Sequence, residues 1–122
     1  MIKKKNLDFV IANGENAADN GVGITEKISN ELFKSGINIE LVDVISRQRG
    51  KMVVWERGVG KTLACGTGAC AATVAGVYSD QFERKVTIEQ PGGNVFIEWQ
   101  ESDNHVIKTG PAKHVYDGHV ML

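Results

Sequence analysis

Cys65 stands in the run Leu63-Ala64-Cys65-Gly66-Thr67-Gly68-Ala69-Cys70-Ala71-Ala72, where a strand-like segment and a Gly-rich turn give way to small, helix-forming residues. A thiol at a helix N-terminus feels the positive end of the helix dipole, which favours its thiolate form and makes it a base. The glycines at 66 and 68 leave the backbone N–H groups of that first turn open, so a carboxylate can lie against them. Removing the α-proton of an amino acid creates a carbanion whose charge spreads onto its carboxylate. Donors aimed there stabilise the transition state. The segment is suited to α-proton abstraction.

The other chemical patterns are weaker. Cys70 lies within the Ala-rich helical stretch and is expected to be core packing. It cannot be the opposing base to Cys65, because positions five apart on a helix are separated by about 7.5 Å along the axis and by roughly 140° around it. A second base, needed on the other face of the α-carbon, is therefore expected from a partner chain or is missing. Gly58-Val59-Gly60-Lys61-Thr62 imitates the end of a phosphate-binding loop, but the glycine required five positions before Gly60 is Trp55, which points away from nucleotide binding. Cys65, Cys70, His105, His114 and His119 do not have zinc-like spacing, and no metal is expected.

The elements that must position Cys65 follow from pattern. Asp8 to Ala12 reads as a short buried strand and Asn13 to Gly23 as a loop. Ile24, Ile28 and Leu32 recur at helical spacing between Thr25, a cap, and Ser35-Gly36, a stop. Ile37 to Ile45 and Met52 to Trp55 flank the polar Ser46 to Gly50 and predict a hairpin. Thr67 to Tyr78 predicts a central buried helix. Lys85 to Glu89 and Val95 to Trp99 flank Pro91-Gly92-Gly93 as a second hairpin. Val106 to Lys108 and His114 to Val120 are expected to end the chain as strands. The fold class is α+β, with one domain over 1–122.

Composition bounds the rest. A chain of 122 residues, 42% hydrophobic and 24% charged, supports one core and needs no disulfide. With 14 basic against 15 acidic residues there is no net field to attract nucleic acid or an anionic membrane, so a small molecule or a protein is the expected partner. The Lys-rich start has no apolar stretch behind it, and no segment approaches spanning length. The two neighbouring cysteines fit reduced thiols and a cytoplasmic location.

Trp55-Glu56-Arg57-Gly58-Val59-Gly60 followed by Leu63-Ala64-Cys65-Gly66-Thr67-Gly68-Ala69-Cys70-Ala71 resembles the C-terminal half of diaminopimelate epimerases. Gly36-Ile37-Asn38-Ile39-Glu40, Pro91-Gly92-Gly93, Thr109-Gly110-Pro111-Ala112 and Val115-Tyr116-Asp117-Gly118 extend the resemblance over nearly the whole chain. It implies a barrel-like, mostly antiparallel sheet around a central helix with a second helix, and an isomerase that uses neither pyridoxal phosphate nor metal. In that family two similar domains face each other across a cleft, and each contributes one cysteine from a helix N-terminus. The resemblance makes Cys65 one acid/base and gives Gly66, Thr67 and Gly68 the carboxylate at the reacting centre. Asn38, Glu56 and Arg57 match positions that hold the distal groups of diaminopimelate, a lysine and cell-wall precursor. Asn6, in Lys5-Asn6-Leu7-Asp8, stands where the family has Gly-Asn-Pro-His. Lys61 replaces a usual glutamate, and the N-terminal domain with its own Cys-Gly-Asn-Gly cysteine has no counterpart in this sequence.

Two readings follow. In the first, two copies form a homodimer, or one copy joins a companion N-terminal half, so that a second thiol faces the same α-carbon. In the second, the chain is a relic domain of the same fold that binds a small molecule or protein without catalysis.

Overall fold

The structure, a computed structural model, describes residues 11–13 and 37–122. Seven strands form one sheet: β1 (Ile11–Asn13), β2 (Ile39–Ser46), β3 (Arg49–Glu56), β4 (Gly60–Thr62), β5 (Lys85–Gln90), β6 (Gly93–Trp99) and β7 (Val106–Thr109). The order is β1-β2-β3-β5-β6-β7, with β4 paired to β3 away from this path. The β1–β2 and β3–β5 pairs are parallel, and the other four are antiparallel. Among the described residues the sheet stays open, with β1 and β7 at its ends. Among the described residues one helix, α1 (Gly66–Tyr78), packs against β2, β5, β6 and β7. No helix among these residues is long and apolar enough to cross a membrane.

The alternation of β2 decides what lies under α1. Side chains two apart share a face of a strand. Ile37, Ile39 and Leu41 gather on one side with Trp55, whereas Val42 joins Met52, Ala69, Ala72, Phe82, Val86, Ile88 and Ile97 in the main core. Glu40, on the same face as Val42, is brought beneath the helix and is only 1% exposed. Each fully buried aliphatic of this core contributes about 1.5–3 kcal/mol.

α1 can lie close to the sheet because its inner face is made of small residues. Gly68, Ala69, Ala72, Thr73 and Gly76 are buried and recur at helical spacing. A Cβ at Gly76 would overlap the Phe82 ring. The chain folds back to place that ring through hydrogen bonds from Gln81 N–H and Phe82 N–H to Gly76 O, 2.8 and 3.0 Å. At the helix end the Ser79 hydroxyl donates to Ala75 O at 2.9 Å.

Both expected hairpins and the helix form where the pattern puts them. The first hairpin is tighter than Ser46 to Gly50 implies: Ser46 pairs with Arg49 across a two-residue turn, with a bulge between Val44 and Ser46. In the second, Gln90 pairs with Gly93, whose φ of 133° requires glycine. Of the expected strand at Asp8 to Ala12, the described part begins at Ile11 and runs on to Asn13. Asn13, expected to open the loop, is the last residue of β1, while the rest of that loop, the helix around Ile24 to Ser35, and Asn6 lie outside the described residues.

The expected strand at His114 to Val120 does not form. No strand follows β7, and Val115, Tyr116 and Val120 are 82%, 81% and 83% exposed. A strand needs a neighbour for its backbone groups. Gly110-Pro111 ends the ladder, since proline has no N–H to give it, and the apolar residues beyond meet no sheet edge of the described chain.

Candidate active site

Cys65 is the N-cap of α1. Its extended backbone, φ −137° and ψ 112°, turns the side chain back over the first turn, and its Sγ accepts a hydrogen bond from Gly68 N–H at 3.3 Å. N-caps are usually oxygen-bearing side chains that satisfy one of the open N–H groups, and sulfur here takes that place. Thr67 Oγ1 lies 3.4 Å from the same sulfur. One backbone N–H and one hydroxyl, whose donor and acceptor roles with the thiol are interchangeable, therefore lie on Sγ at the positive end of a helix.

Gln90, at the end of β5, fixes the backbone of the cap. Its Oε1 accepts from Cys65 N–H at 2.7 Å, while its Nε2 is buried with no partner. The β4 side of the site is tied by Gly92 N–H donating to Leu63 O at 2.7 Å. With Gly68 N–H engaged by sulfur, the N–H groups of Gly66 and Thr67 remain without an acceptor among the described residues. These two, rather than all three residues of the Gly-Thr-Gly run, are the open donors.

Glu40 lies under the same turn. A Cβ at Gly68 would fall 2.5 Å from Glu40 Oε1, so only glycine fits above the carboxyl. Its Oε2 is buried and has no hydrogen-bond partner. Burial pushes its pKa up to about 7, against a backbone hydrogen bond that lowers it, and the charge of Glu56 adds to the rise.

Glu56 ends β3, where its Oε1 accepts from Thr62 Oγ1 of β4. Asn38, just before β2, accepts from Arg57 N–H through Oδ1 at 2.7 Å. The structure thus joins Asn38, Glu56 and Arg57 at one end of the β2–β3 pair. Lys61 lies in β4 opposite Trp55. Cys70 is half-buried against the main core, and burial raises its pKa while Lys108 lowers it. His105 and His114 are exposed and pair locally with Asp103 and Asp117 at 2.8 and 3.0 Å.

Three further residues meet the start of α1: Glu40 under Gly68, Gln90 on Cys65 N–H, and Lys108, whose side chain lies against Gly66. Glu40 has a sequence signal, being an acid within the apolar run Ile39 to Val42. Gln90 and Lys108 carry no signal of their own, because their contacts with α1 come from distant strands.

An open α+β sheet carrying a helix with a cysteine cap defines the class, and solved structures share the fold. A PhzF-family phenazine biosynthesis protein from Bacillus anthracis superposes with a TM-score of 0.58 at 15% identity, over 88% of this chain and 36% of that one. A PhzC/PhzF protein from Clostridium difficile gives 0.55 at 13% identity, over 76% and 34%. Residues 5–115 match the family profile described as diaminopimelate epimerase. The chain belongs to the diaminopimelate epimerase family. It is 56% identical over 91 residues to the diaminopimelate epimerase of Acetivibrio thermocellus, covering 75% of this chain and 32% of that protein. It is 54% identical over 88 residues to the chloroplastic enzyme of Oryza sativa subsp. japonica, covering 72% and 25%. The chain spans a quarter to a third of the length of these curated relatives.

Proposed function

We propose that this chain is one half of a cofactor-independent epimerase acting on diaminopimelate, and that Cys65 is one of its two acid/base groups. The single observation that carries this reading is Cys65 Sγ as the cap of α1, accepting from Gly68 N–H at 3.3 Å. Cys65 as thiolate takes the α-proton. The charge that develops on the substrate carboxylate is met by the N–H groups of Gly66 and Thr67, and a second thiol returns a proton to the opposite face. Asn38, Glu56 and Arg57, with Asn6 from outside the described residues, hold the distal amino and carboxyl groups.

Cys70 cannot be the second thiol, since it lies in the body of the same helix and packs against the core. The second group comes from outside these 122 residues: a second copy in a twofold dimer, or a companion half with its own helix-capping cysteine. The exposed apolar residues Val115, Tyr116, Val120 and Met121 support association, because such a run is normally covered by a partner.

The experiment is the mass of the chain in solution together with α-proton exchange of LL- or meso-diaminopimelate in deuterium oxide, with Cys65→Ser as control. A dimer with Cys65-dependent exchange supports self-complementation. A well-folded chain that neither exchanges the proton alone nor gains exchange on mixing with an N-terminal half of a related epimerase is a non-catalytic binding domain, and the proposal fails.

A further inference from the structure

The start of α1 gathers positive character without a paired acidic side chain among the described residues. The Lys108 side chain of β7 lies against the first residue of the helix, where a Cβ at Gly66 would overlap its Nζ and sit 3.1 Å from its Cδ. A helix N-terminus carries about half a positive charge, so an ammonium is disfavoured there. The first turn has no acidic residue, and the Lys108 side chain has no hydrogen-bond or ion-pair partner among the described residues. Glu40, buried under Gly68 with its pKa pushed up to about 7, is not a full counter-charge at neutral pH. A second observation points the same way. Gln90 is 7% exposed, its Oε1 is held on Cys65 N–H, and its Nε2 has no acceptor, which leaves another donor at the helix start unsatisfied. An anion against the first turn meets the Lys108 ammonium and the open Gly66 and Thr67 N–H groups together.

We infer that Lys108 is an anion-binding and specificity-determining residue of the Cys65 site: its ammonium closes on a carboxylate lying against the Gly66 and Thr67 N–H groups. The site then selects molecules with a free carboxylate at the reacting centre over neutral amides or esters of the same shape. This rests on the reading of Cys65 as a reactive thiol beside a carboxylate cradle, but its test needs no turnover.

The intact chain is alkylated with iodoacetate and with iodoacetamide, reagents that differ chiefly in charge, and Cys65 modification is followed by peptide mass spectrometry. The iodoacetate-to-iodoacetamide rate ratio at Cys65 is expected to fall about fivefold in Lys108→Met. It is retained in Lys108→Arg, and in the unmodified chain it declines as salt is added. Should Cys65 be shielded from both reagents, acetate titration followed by amide NMR takes over, with shifts at Gly66 and Thr67 expected to weaken in Lys108→Met. An unchanged ratio, or unchanged acetate shifts, overturns the assignment. Failure of α-proton exchange would instead remove the epimerase reading and leave this result standing.

Discussion

Gln90 Oε1 accepts the backbone N–H of Cys65 at 2.7 Å, and this contact joins the end of β5 to the start of α1. The strand thereby sets the position of the cap, and with it the direction of the thiol. Cys65 is 8% exposed, so this N–H has no ready replacement in solvent. Gln90→Leu removes the acceptor and is expected to lower unfolding stability by about 1–3 kcal/mol in urea titrations. Gln90→Glu keeps an acceptor oxygen and should lose less. Equal stability of Gln90→Leu and the unmodified chain would show that the contact does not hold the cap.

Glu40 makes stability depend on pH. Its carboxyl has an ordinary value of 4.5 and a folded value of about 7. Between these the folded chain holds a proton that the unfolded chain has released, so stability falls as pH rises through this window and levels off above it. The full loss amounts to about 3 kcal/mol. Glu40→Gln should flatten the curve between pH 4.5 and about pH 7 in denaturant titrations. An unchanged slope in that variant would assign the pH dependence to other groups.

The fit of Gly68 over Glu40 can be tested by a double-mutant cycle. Gly68→Ala places a methyl against the carboxyl and is expected to cost about 1–3 kcal/mol. In a Glu40→Ala background the same change should cost much less, because the obstructing atoms are gone. Additive costs would mean that the two residues do not press on each other.

Local composition carries the helix and its cap. The small residues of Thr67 to Tyr78 specify a helix that lies close to its neighbours, and it begins one residue earlier, at Gly66. The change from strand-like to Ala-rich composition puts Cys65 at its start. Gln90 and Lys108 escape such a reading because their partners lie far along the chain, and nothing in Ile88-Glu89-Gln90-Pro91 or Val106-Ile107-Lys108-Thr109 marks an approach to a helix. The tail misleads for a related reason. His114 to Val120 has strand-forming residues, but strand structure depends on a neighbouring edge that the described chain does not supply.

The most direct test of the central claim is deuterium incorporation at the α-carbon of meso-diaminopimelate, comparing the unmodified chain with Cys65→Ser and Cys70→Ser. Serine preserves the cap of α1, so loss of the fold would not account for a difference at position 65. The expected result is exchange by the unmodified chain and by Cys70→Ser, with a fall of about 10²-fold or more in Cys65→Ser. Exchange that survives in Cys65→Ser within a few-fold would contradict the assignment of Cys65 as the acid/base.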